Sequence, residues 1–273
     1  MLCPDWQPQL LSTPQEKEQL LRQLDIDRLE VLTFDQQLSQ LSARQFMQQV
    51  LRDRLSVRLL LTGYDNRFGH QREEGFADYQ RHGRELGIDV VAAEPYSHDG
   101  QRFSSSLVRQ QLAEGDVKRA WQSLGRPYCL SGSVVHGNQI GRRLGFPTAN
   151  LTVAPCKLIP REGVYAVMAT VEGHDEPLPA MMNIGHRPTF DGHRLTLEAH
   201  LFHFDADLYG RQLTISFIER LRDECHFDST TLLVSQMEHD RLQAEQILAP
   251  LSFHPSPESP HFTPPRPLHQ DSL

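Results

Sequence analysis

At 273 residues, with 38% hydrophobic and 23% charged residues, the chain is long enough for two globular domains with separate cores. It has no apolar run near the ~20 residues of a membrane helix, and Met1–Gln9 lacks the basic start and apolar block of a secretory signal, so the expected setting is the cytoplasm with no membrane partner. The formal charge of −8 disfavours a nucleic-acid partner, and four dispersed cysteines (Cys3, Cys129, Cys156, Cys225) without a Cys-x-x-Cys pair exclude a zinc knuckle or disulfide framework.

The first half reads as alternating helix and strand. Thr13-Pro14-Gln15-Glu16 is a capping box with proline at the first helical position, and Leu20, Leu21 and Leu24 follow on one face. Leu29–Phe34 is predicted as a strand. Ser42-Ala43-Arg44-Gln45 is a second capping box, with Phe46, Val50 and Leu51 as its buried stripe. The apolar run Val57–Thr62, ending at Gly63, predicts a strand buried on both faces in a parallel sheet. A helix at about Phe76–Leu86, a strand at Ile88–Ala93 and a helical stretch to Leu124 complete an α/β domain of the doubly wound type. Its first strand, whose following turn usually carries a phosphate-binding loop, is expected to be missing.

At Gly125-Arg126-Pro127 the pattern changes. Short strands follow at Cys129–His136, Val164–Val171, Pro179–Ile184, Leu195–Phe202 and Leu213–Ile218, with Gly, Pro and Asp between them, which predicts a small antiparallel barrel. Asp228–Leu248 is predicted as one long helix with Leu232, Leu233, Met237 and Ile247 as its apolar positions. The expected division is therefore 1–124 (α/β), 125–249 (barrel with a C-terminal helix) and 250–273, a Pro-, His- and Ser-rich tail read as disordered.

The run Gly132–Asn150 carries glycines at 132, 137, 141 and 145. Such spacing lets backbone N–H groups turn towards a phosphate. Arg142 or Arg143 would add a charged fork, and Thr148 and Asn150 place two small oxygen ligands close together, which suits Mg²⁺. Spacing alone fits a glycine-punctuated hairpin equally well. No Gly-Lys-Ser/Thr follows, so the run is not a Walker loop. In Leu195–Phe202 the apolar Leu195, Leu197, Ala199 and Leu201 alternate with Thr196, Glu198 and His200, so Glu198 points away from the packed face. It reads there either as a general base or as an ordinary half-exposed glutamate. His200 and His203 have no carboxylate or cysteine to complete a metal set, and surface or supporting roles are expected.

Gly132-x-Val134-x-x-Gly137-x-x-x-Gly141-Arg142-x-Leu144-Gly145-Phe146-Pro147-Thr148-Ala149-Asn150 resembles the signature of riboflavin kinases. Gly163-Val164-Tyr165, Asn183-Ile184-Gly185, Arg187-Pro188-Thr189-Phe190, Leu197–Leu201, Tyr209-Gly210 and Leu221-Arg222-Asp223-Glu224 follow in that family's order, over about Gly125–Ala249. The resemblance implies a six-stranded barrel with a C-terminal helix, and transfer of the ATP γ-phosphoryl to the 5′-hydroxyl of riboflavin, giving FMN and ADP. It implies Thr148 and Asn150 as holders of Mg²⁺ and nucleotide phosphates. Gly132, His136, Gly137, Gly141, Arg142, Gly145 and Pro147 would form the rest of the ATP site, with Glu198 as base. Arg222 matches an arginine near the flavin, with ion pairing to Asp223 or Glu224 as the competing role.

In bacteria this kinase is commonly fused behind an FMN adenylyltransferase domain, and residues 1–124 resemble its later part. Gly63, Asp65, Phe68 and Gly69 match its Gly-x-Asp/Asn-Phe-x-Phe-Gly loop, with Asn66 in place of an aromatic residue. Ser105, Ser106 and Arg109 match its Ile-Ser-Ser-Thr-x-x-Arg motif, with Ser106 in place of threonine; read by spacing alone, these serines are a helix cap. The family's His-x-Gly-His motif has no counterpart, since residues 1–62 hold no histidine. The chain is accordingly expected to be a riboflavin kinase that does not adenylylate FMN efficiently by itself. The alternatives are a bifunctional kinase and adenylyltransferase, and a flavin-binding regulatory module without turnover.

Overall fold

The computed structural model describes residues 9–251, except 25, 64, 95–96, 99–100, 138–139, 175 and 190–191; the predicted tail lies almost wholly outside these residues. The chain forms two compact bodies. One is Asp27–Phe103; the other joins the described residues up to Ile26 to those from Ser104 onward.

The second body opens with helix α1 (Pro14–Arg22). Its expected capping box is present: Thr13 Oγ1 accepts from the Glu16 N–H at 3.2 Å, and the Thr13 N–H donates back to Glu16 Oε2 at 2.9 Å. Just ahead of it, Leu10 bridges to Lys157 as a parallel strand would. The Lys157 ammonium, almost fully buried, donates to Glu16 Oε2 at 2.5 Å and to the Leu11 carbonyl at 2.9 Å.

The α/β body holds helices α2 (Gln36–Ser39) and α3 (Ala43–Phe46), the latter continuing as a π-helical stretch Met47–Arg54. Strand β1 (Leu59–Gly63), helix α4 (Phe76–Leu86) and strand β2 (Asp89–Ala93) follow, with β1 and β2 parallel as predicted. The short strands β3 (Ser97–His98) and β4 (Gln101–Arg102) pair antiparallel. The core is Ala43, Met47, Leu51, Tyr79, Leu86 and Ile88, with Leu60 and Val90 packed on it. Two expectations fail here. Leu29–Phe34 forms no strand, because a strand needs a hydrogen-bonded neighbour and this segment has none among the described residues; Val31 and Phe34 stay exposed. Nor is β1 buried on both faces: Leu60 and Thr62 face the core, whereas Leu59 and Leu61 remain 58% and 61% exposed.

Helices α5 (Ser105–Glu114) and α6 (Val117–Leu124) belong to the body of the barrel, and Val108, Leu112, Val117 and Ala120 join its core. The barrel strands are β5 (Tyr128–Val135), β6 (Ala149–Val153), β7 (Gly163–Val171), β8 (Leu178–Thr189), β9 (Gly192–Leu201) and β10 (Gln212–Arg222). They close in the order β10-β5-β6-β9-β8-β7, and the short helix α7 (Ile140–Arg143) lies between β5 and β6. Five of these six strands are expected from the sequence, and β6 is not. Leu130, Tyr165, Val167, Met182, Leu197, Leu213, Ile215 and Phe217 fill the interior. Helix α8 (Thr230–Leu248) covers one outer patch, where Ala244 and Leu248 meet Phe146, Ala166, Met168, Met181, Phe202 and Ile218. Leu232, expected on the packed stripe of α8, is instead exposed; the buried positions are Asp240, Ala244 and Leu248.

Candidate active site

The alternation along β9 works as predicted. Leu197, Ala199 and Leu201 enter the barrel core, and Thr196, Glu198 and His200 line a cleft on the outer surface. Glu198 stands in register with Asn150 of β6 on one side and Asn183 of β8 on the other. Thr148, directly before β6, donates from Oγ1 to Glu198 Oε2 at 3.3 Å. The fold thus brings Thr148, Asn150 and Glu198 to one place on the outer face of the barrel. Hydroxyl, amide and carboxylate oxygens are hard donors, and such a set fits a Mg²⁺ ion that retains several waters.

Two clefts adjoin this group. The larger, of about 580 Å³, is lined by Asn183, Glu198 and His200 together with Gly141, Leu144, Thr148, Arg222, Phe227, Leu233 and Met237. That volume suits a drug-sized aromatic ligand. The smaller, of about 70 Å³, is lined by Arg142, Pro147, Thr148, Phe204, Asp207 and Tyr209. Beside it, His136 stacks on the Tyr209 ring with centroids 3.8 Å apart. Thr148 borders both clefts.

The four glycines of the motif do different things. Gly132 lies within β5, where a Cβ would come within 2.2 Å of the Thr152 carbonyl, so it permits close strand approach. Gly137 and Gly141 likewise leave room, for the Asn150 amide and the Phe146 carbonyl. Gly145, at φ +85°, makes the left-handed turn that leads into Phe146-Pro147-Thr148.

Arg222 borders the larger cleft, and its carboxylate partner is neither Asp223 nor Glu224. Nε and Nη2 make a side-on pair with Asp240 of α8, at 3.0 and 2.7 Å, and Gln236 also donates to Asp240. Asp223, just past the end of β10, pairs instead with Arg220 and Arg161. From the sequence alone, Asn183, Tyr209 and Asp240 carry no role, and Glu224 only that of a candidate ion-pair partner for Arg222. Asp240 had a signal, a carboxylate on the packed stripe of a helix. Glu224 accepts from Asn183 Nδ2 at 3.0 Å and lies so close over Gly185 that any Cβ there would overlap it.

His200 is largely buried, and burial pushes its pKa below the usual histidine range, partly offset by a hydrogen bond to the Pro147 carbonyl. His203 is exposed and pairs with Glu245 at 3.6 Å. Of the residues matched in the front half, Gly63 ends β1 and Asp65 follows it. Phe68 stacks on Tyr79 with centroids 4.0 Å apart, and Gly69, at φ +92°, packs against the Ala43 backbone. Ser105, Ser106 and Arg109 lie on α5 in the other body, where Ser104 is the capping residue that accepts from the Leu107 N–H.

A riboflavin kinase family model matches residues 124–248, and an FAD synthetase family model matches residues 1–107. The bifunctional riboflavin kinase/FMN adenylyltransferase of Escherichia coli (strain K12) is 37% identical over 247 residues, covering 90% of this chain and 78% of its own. The Pseudomonas fluorescens protein of the same description is 39% identical over 226 residues, covering 82% and 72%. Among solved structures, one described as a macrolide-efflux protein from Streptococcus pneumoniae aligns with a TM-score of 0.77 at 30% identity, over 86% of this chain and 75% of that one. Among the described residues of this chain, no helix is long and apolar enough to cross a membrane.

Proposed function

The chain belongs to the bifunctional riboflavin kinase/FMN adenylyltransferase family, and from that premise we propose how its barrel phosphorylates riboflavin. Riboflavin occupies the larger cleft. ATP approaches from the smaller one, past Arg142 and the His136–Tyr209 stack. The two substrates meet at Thr148, which borders both.

Glu198 is the base. It takes the proton of the 5′-hydroxyl as that oxygen bonds to the γ-phosphorus, and the bond from phosphorus to the β,γ-bridging oxygen breaks with its electron pair leaving on ADP. Thr148 and Asn150 would hold Mg²⁺, which offsets charge on the phosphoryl oxygens. Arg222 presents its guanidinium to the flavin as a fixed plane, because Asp240 has taken two of its nitrogens. Gly132, Gly137, Gly141, Gly145 and Pro147 shape the segment that reaches the phosphates. With ATP as donor, the reaction belongs to the cytoplasm.

The observation that carries this reading is the 3.3 Å hydrogen bond from Thr148 to Glu198 at the place where the two clefts meet. Glu198→Gln keeps the shape and removes the base. FMN formation followed by chromatography is expected to fall by roughly 10²–10⁴-fold, while riboflavin binding, followed by flavin fluorescence, stays within about twofold of wild type. Undiminished turnover would remove Glu198 as base. A wild-type chain that binds riboflavin and makes no FMN would support the regulatory-module alternative.

A further inference from the structure

We infer that His200 is a positioning residue for the phosphoryl transfer: through the Pro147 carbonyl it sets where Thr148 stands against Glu198. The inference rests on the riboflavin phosphorylation proposed above. Strands β6 and β9 pair at Asn150↔Glu198 and Ala149↔Ala199, and the ladder stops there. One step further would place Thr148 opposite His200. The chain diverges instead, and Pro147 has no N–H to offer a ladder bond.

Its carbonyl oxygen is taken up by the His200 side chain, with Nδ1 at 2.7 Å. A carbonyl only accepts, so Nδ1 carries the hydrogen and the tautomer is fixed. The ring is 9% exposed and stands edge-on to Phe146 and Phe202, at centroid distances of 5.3 and 5.7 Å. Packing therefore sets its orientation. The peptide it grips is the one that joins Pro147 to Thr148, so its plane fixes the start of Thr148, whose hydroxyl donates to Glu198. Two outward residues of β9, Glu198 and His200, thus hold two consecutive residues of the incoming segment in a closed circuit. Rigid support of this kind matters because a displacement of about 1 Å at a reacting centre costs roughly 10²-fold in rate.

A histidine that merely fills space would be replaced by phenylalanine without loss. The test compares His200→Phe, His200→Asn and His200→Gln in the full chain. Phenylalanine keeps a ring without the donor. Asparagine puts an N–H near the Nδ1 position, and glutamine puts it beyond reach of the Pro147 carbonyl. We expect His200→Phe to lower kcat by roughly 10–100-fold. It should also speed hydrogen–deuterium exchange in peptides covering residues 144–150. His200→Asn should recover most of both properties. Full activity in His200→Phe would overturn the inference. Equal losses in Asn and Phe variants of unchanged Tm would also overturn it, since the ring itself would then take part. If His200→Phe does not fold, the Asn and Gln variants decide: Asn about tenfold faster supports the positioning role, and equal rates refute it. Wild-type FMN formation tests the kinase reading separately.

Discussion

The two bodies of this chain solve the problem of the sheet edge in opposite ways. In the barrel every strand has two hydrogen-bonded neighbours, and α8 covers one outer patch. The α/β body has two parallel strands whose outer face keeps Leu59, Leu61 and Val91 at 58%, 61% and 45% exposure. Parallel sheets are usually covered on both faces. The closed body can therefore hold side chains on its outer surface in fixed register, as it does with Asn150, Glu198 and Asn183; the open body offers no such frame.

The largest expected effect sets the two bodies against each other in chemistry. With purified chain, ATP and Mg²⁺, FAD formation from FMN should run roughly 10²–10³-fold below FMN formation from riboflavin, the size of loss that follows when a group holding the reacting phosphates is altered. The grounds are Asn66 and Ser106, which replace the usual aromatic residue and threonine at family-matched positions. Comparable rates would break the contrast. In stability, Phe217→Ala empties the barrel core, where Phe217 is fully buried against Tyr165, and should cost about 3–5 kcal/mol in denaturant unfolding.

Asp240→Asn leaves the partly buried Arg222 without its counter-charge and should cost about 3 kcal/mol. The corresponding fall in Tm would be roughly 6–12 °C. A smaller loss with unchanged riboflavin affinity would show that α8 does not fix Arg222. Least of all, Leu61→Thr on the open sheet face should stay within about 0.5 kcal/mol of wild type. A cost as large as that of Phe217→Ala would mean that this face is covered in solution.

The same contrast governs what the sequence reveals. Short apolar segments set between Gly, Pro and Asp turns made β5, β7, β8, β9 and β10 readable, and along β9 the period-two alternation is explicit. It also gave the orientation of Glu198 before any partner was known. β6 escaped because it is only five residues long and follows directly on Thr148, so that Thr148 and Asn150 read as ligands. Leu29–Phe34 has strand composition, but pairing decides strands, and composition cannot supply a neighbour. The Arg222–Asp240 pair spans 18 positions and two elements, so local spacing pointed to Asp223 instead. The grip of His200 on Pro147 spans 53 positions and needed the register of β6 against β9.

One feature of the connectivity reaches beyond the active site. Leu10–Arg22 precedes the α/β body in the chain, yet it is tied to the other body by Leu10 N–H to the Cys156 carbonyl, Leu158 N–H to the Leu10 carbonyl, and Glu16 to Lys157. The α/β body is therefore an insertion whose two ends are both anchored outside it. A protease that nicks Asp27–Phe103 once would cut the covalent chain and still leave both fragments associated through the barrel. The nicked protein should elute as one species and separate only when denatured.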